Sequence, residues 1–94
     1  KDSVVREIGR AFAAEDVSYV RRRLEETRFP MDRMAPPPRV QIAVIWLSEG
    51  DVHRFEQALD GACIDWRDTL VAAGLQHEDW KEVLRARGID GEDW

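Results

Sequence analysis

Apolar residues recur at steps of three and four along almost the whole chain, which is the spacing of one face of an α-helix. Val4 or Val5, Ile8, Ala11 and Phe12 predict a short first helix with Ser3 as its candidate N-cap. Val17, Val20 and Leu24 predict a second, capped by Asp16, so residues 1–28 read as a helical hairpin. The stretch RFPMDRMAPPPR carries four prolines. Each removes an amide donor and disfavours helix in the residue before it, so 29–38 reads as a Pro-rich linker. RVQIAVIWLSE is apolar nearly all round and predicts a central buried helix with Pro38 in its first turn. Its Val and Ile also permit a strand. The helix is the preferred reading, because Ser48-Glu49-Gly50-Asp51 reads as helix end, glycine stop and new N-cap, and no second strand candidate could pair with it.

From Asp51 the stripe Val52, Phe55, Leu59, Ala62, Cys63, Trp66, Leu70 and Ala73 keeps helical spacing up to Gly74. One long helix fits. The alternative is a break near Ile64, made plausible by Gly61, in which Asp65 caps a separate helix and Asp68 stands at its third position. Either way 39–74 is the central hairpin. A last helix from about Glu78 to Ala86, within 77–88, turns Trp80, Val83 and Leu84 inward and stops at Gly88, leaving 89–94 as a tail. The expected fold is therefore one all-α domain of about five helices, two stacked helical hairpins plus a short C-terminal helix, bundle-like.

Two internal repeats bear on this. AFAAEDVSYVRRRLEE superimposes on WLSEGDVHRFEQALDG at an offset of 35, so that Phe12, Asp16, Val17, Val20 and Leu24 fall on Leu47, Asp51, Val52, Phe55 and Leu59. The tryptophan, glycine, tyrosine and proline positions of tetratricopeptide repeats are missing, which leaves two hairpins and no known repeat family. The closing GIDGEDW repeats GLQHEDW, which begins fourteen residues earlier. In GLQHEDW the glycine stops a helix, Leu75 packs back, Glu78 and Asp79 charge the next first turn, and Trp80 is its first inward side chain. The same order at Gly88, Ile89, Glu92, Asp93 and Trp94 predicts that Trp94 folds back on the core or that the chain once continued.

Composition narrows the class. With 44% hydrophobic and 35% charged residues over 94 positions, the chain suits one soluble globular domain. The longest nearly apolar run, Val40 to Leu47, falls well short of the roughly 20 residues of a membrane span. The single Cys63 can form no internal disulfide, which favours a reducing, cytoplasmic setting. Because the sequence opens at Lys1 and not at methionine, we expect residues upstream of it, where a targeting signal could lie. The net charge of −5 divides unevenly: residues 1–39 hold nine Lys/Arg against seven Asp/Glu, and 40–94 hold five against twelve.

The most distinctive segment is CIDWRDTLVAAG. Asp65 and Asp68 share a face of a continuous helix with no cation three or four residues away, so they and Arg67 are expected to form structural ion pairs with neighbouring helices. An acid/base or metal role would need a cleft and further ligands. His53 and Glu56 have the three-residue spacing of a carboxylate–histidine metal site but no second such pair, and read as a surface pair. Cys63 lies on the apolar stripe and reads as a small core residue. No phosphate loop, nucleophile elbow or paired-cysteine zinc spacing occurs, so no cofactor, metal or enzymatic activity is expected. The run Arg21-Arg22-Arg23, with Arg28, Arg33 and Arg39 after it, is the candidate polyanion site, although consecutive arginines point about 100° apart on a helix. APPPR could dock as polyproline II in an aromatic groove, or simply act as a stiff spacer.

The block from Arg39 to Leu75, with GD at 50–51 and DWRDTLVAAGL at 65–75, resembles small uncharacterised bacterial helical proteins. That resemblance implies helices at these places and carries no activity. Four tryptophans in a small chain are more than its core easily hides, and tryptophan and arginine are favoured at interface anchors. The expected function is a non-enzymatic interaction or regulatory module binding another protein or itself, with Arg21, Arg22, Arg23, Trp80 and Trp94 as candidate partner-binding residues. The alternative is a nucleic-acid-binding regulator using the arginines; the third reading is an enzyme or metal site around Asp65 and Asp68.

Overall fold

The structure, a computed structural model, describes residues 2–30 and 32–89. α1 (Asp2–Ala11) and α2 (Ala14–Glu26) form one hairpin, α3 (Pro38–Ser48) and α4 (Val52–Ala73) the second, and α5 (Trp80–Ala86) follows. α3 packs on α4 over the largest interface, α1 on α2, and the hairpins stack with α1 against α3 and α2 against α4. The fold is all-α and bundle-like, with no strand among the described residues, so 40–47 is helical. Val40, Ile42, Ala43, Val44 and Ile45 are all buried, which makes α3 the central element. The repeat at offset 35 has a structural counterpart: Val20 and Leu24 of α2 and Phe55 and Leu59 of α4 are all buried at matching positions. The Cα radius of gyration is 12.2 Å, close to the roughly 12 Å of a compactly folded chain of this length.

Helix ends follow local chemistry, with two corrections. Asp51 caps α4, its Oδ1 accepting from His53 N at 2.9 Å. Its counterpart Asp16 does not cap α2, whose N-cap is Ala13. Ala14 and Glu15 extend the helix backwards, so Asp16 lies in the first turn, where its charge still suits the positive end of the helix dipole. α1 likewise begins at Asp2, before the expected cap Ser3. The stops at Gly74 and Gly88 are alike, with φ of 78° and 79°. In each the next residue is buried and its N–H returns to a carbonyl five residues back, Leu75 to Leu70 and Ile89 to Leu84, both at 2.9 Å. The GL and GI of the two repeated segments therefore have one role. The position expected for Trp94 lies outside the described residues.

The long helix reading is corrected at Asp65. Its φ of −153° and ψ of 95° are extended, and its Oδ1 accepts from Arg67 N at 3.1 Å, so Asp65 caps a second helical segment as the broken-helix alternative expects. Trp66, the residue after the break, is exposed and lies off the inward stripe. The Pro-rich stretch is also more than a spacer. Pro36 is buried, its carbonyl accepts from Gln41 Nε2 at 2.8 Å, and Pro37 is the N-cap residue of α3.

Candidate functional site

The break at Asp65 helps create a groove. It opens Trp66 at the start of the second segment of α4, opposite Trp80 at the start of α5, and each tryptophan directly follows an aspartate at a helix start. The loop before α3 supplies Phe29 and Met34, while Leu70 lies at the base. That loop is a tight turn, closed by Phe29 N to Met34 O at 2.9 Å and Arg33 N to Phe29 O at 2.8 Å. Its Asp32 Oδ1 accepts from Met34 N at 3.0 Å. The groove encloses about 450 Å³. Met34 is 62% and Trp66 41% exposed, a large amount for apolar side chains of this size.

Arg39, in the first turn of α3, forms one wall. Its Nε donates to the Leu75 carbonyl at 2.7 Å and its Nη2 to the same oxygen, and its guanidinium lies 4.9 Å from the centre of the Trp80 ring. These contacts tie the end of α4 to α3 and fix the indole. Burial pushes the Arg39 pKa down. Two further cations stand over the tryptophans, Arg67 at 5.4 Å from Trp66 and Lys81 at 5.5 Å from Trp80.

The other expected site residues lie elsewhere. Arg21 pairs with exposed Glu25 at 3.3 Å, and Arg22 stands 5.9 Å over Tyr19. Arg23 grips Glu56 through two hydrogen bonds of 2.9 Å, and Tyr19 donates to the same carboxylate. This ion pair, long-range in sequence, joins α2 to α4. Asp65, Arg67 and Asp68 do not form the expected interhelical pairs among the described residues. The break points them into solvent, where Asp65 caps and Arg67 stacks on Trp66. Glu56 is committed to Arg23 while His53 is exposed beside Gln57, and no cluster of metal-ligating groups occurs among the described residues. Cys63 is half-buried, with its thiol pKa raised by burial first and Asp60 second. Among the described residues no helix is long and apolar enough to cross a membrane.

The Arg23 hydrogen bonds lower the Glu56 pKa despite the opposing effect of burial. A depressed carboxylate contributes stability above its unfolded pKa of about 4.3 and loses it as pH falls through the folded value. Glu56→Gln is therefore expected to lower stability at pH 7 by about 1 kcal/mol, modest because the Glu56 side chain stays 26% exposed. Urea melts across pH 3 to 7 should show the gap between the variant and the parent closing below about pH 4. A gap independent of pH would contradict the pairing.

Of the groove residues, periodicity places Trp80 at a helix start but sets Trp66 inward and leaves Phe29 and Met34 in a linker. The usable signal was the recurrent Asp-Trp at helix starts. No protein-family model, curated protein or solved structure matches this chain.

Proposed function

We propose that this chain is a non-enzymatic helical interaction module that holds another protein in the groove between Trp66 and Trp80. The observation that carries this reading is the exposure of Trp66 and Met34 around one groove whose other walls are Arg39, Phe29 and Trp80. Tryptophan, methionine and arginine are the side chains enriched at the centres of protein interfaces, where a few such anchors dominate binding. Trp66 has no part in the core, so its exposure is not a by-product of packing. The arginines of α2 offer less to a partner: Arg23 and Arg21 face carboxylates of their own chain and Arg22 rests on Tyr19. That balance favours the groove over a polyanion site.

Trp66→Ala supplies the test. Because the side chain is largely outside the core, the melting temperature is expected to move by no more than about 3 °C, for a stability loss of about 0.5 kcal/mol. Loss of a central anchor is expected to weaken partner binding by at least about thirtyfold, measured by titration of the partner recovered on the immobilised parent chain. A partner that binds Trp66→Ala as tightly as the parent would remove the groove from the reading. Retention by nucleic acid at low salt, abolished at high salt, would replace it with the arginine site.

A further inference from the structure

Resting on the docking reading above, we propose that the partner segment held in the groove is acidic: a large apolar side chain between Trp66 and Trp80, with an adjacent Asp or Glu that pairs with Arg39. Charge complementarity carries the inference. Arg39 is a half-buried cation against an indole, and its hydrogen bonds go to a carbonyl, which is a dipole and not a counter-charge. No carboxylate of the described chain contributes to its ionisation, and burial alone shifts it. Asp32, the one acid lining the groove among the described residues, has Oδ1 turned to the Met34 amide. Arg67 and Lys81 add positive charge over the two tryptophan rings. Arg39 thus stands in an apolar groove wall with its hydrogen bonds spent on a carbonyl and no ion pair to a carboxylate of the described residues, the complement of an apolar segment bearing a carboxylate. The groove's volume of about 450 Å³ accommodates an anchor side chain with a neighbouring acid, within the roughly 300–1,000 Å³ of ordinary ligand clefts.

The test begins with a random twelve-residue peptide library displayed on phage and selected on the full chain at about 50 mM salt. Peptides are retained when they lose binding to Trp66→Ala, then synthesised with each Asp or Glu changed to Asn or Gln. The expected result is enrichment of acids next to Leu, Ile or Phe, with a loss of at least about tenfold for the amide at one position. That same contact should weaken as salt rises to 500 mM. Changing the peptide leaves Arg39 in place to hold Leu75, so folding does not enter the comparison. Arg39→Lys, which keeps the charge and loses the planar fork, should weaken the acidic peptide more than its amide counterpart. Peptides that require Trp66 but bind equally as amides, or that carry Lys or Arg instead of acids, would overturn the acidic partner and leave the docking groove standing. If no selected peptide depends on Trp66, both readings fall.

Discussion

Phe55→Ala is expected to destabilise the protein by about 3–5 kcal/mol, the cost of removing a buried phenylalanine from a close-packed interior. Phe55 is fully buried on the first segment of α4, and its ring meets Phe12 edge to face, with centroids 5.8 Å apart and planes at 85°. Phe12 follows α1, so this one contact joins the two hairpins as well as filling the centre. Alanine would leave a cavity and remove the aromatic pair, itself contributing about 1 kcal/mol. A chain of 94 residues has a net stability of only about 5–14 kcal/mol, so the variant should lose a large fraction of it. Urea unfolding followed by far-UV circular dichroism gives the number. A midpoint shift equivalent to less than about 1 kcal/mol would mean that the hairpins do not meet through these rings.

The second large effect separates two glycines with almost the same backbone angle. Gly50 has φ 81° and Gly74 φ 78°, so alanine at either adopts the left-handed conformation at a cost of about 1–2 kcal/mol. Around Gly74 a new Cβ meets nothing within 4 Å. At Gly50 it would come within 2.5 Å of the Ala11 carbonyl oxygen. That oxygen is backbone at the end of α1 and cannot swing aside as a long side chain would, so the hairpins must shift apart. Gly50→Ala is expected to destabilise by about 3 kcal/mol or more and Gly74→Ala by about 1–2 kcal/mol. Equal losses in parallel thermal melts would show that the turn between α3 and α4 does not rest on α1.

Gly50 illustrates how unevenly the fold could be read in advance. That a glycine turn separates α3 from α4 follows from Ser48-Glu49-Gly50-Asp51, since the stop and the cap are local. That the turn presses on Ala11 depends on how the hairpins stack. The candidate site divides the same way. Trp80 after Asp79 marks a helix start, whereas Trp66 was assigned inward because its spacing continues a stripe that the backbone breaks one residue earlier. Asp65 carried the signal for that break, but a strong apolar period outweighs a single capping residue when only spacing is considered. Met34 and Phe29 carried no signal, because a proline-rich loop has no period from which direction can be inferred.

By itself the amino-acid sequence determined the all-α class, the two hairpins, the central position of α3 and the glycine stops at 74 and 88. These depend on side-chain periodicity and on backbone freedom within a few residues, and both are properties of the local chain. Only the tertiary structure decided which charges meet, why Glu56 and not Asp65 or Asp68 is the acid that an arginine of another helix reaches, and that Trp66, Trp80 and Arg39 share a groove. Each of those contacts joins residues far apart along the chain, and a long flexible side chain has many partners within reach until packing fixes the distance and angle between helices.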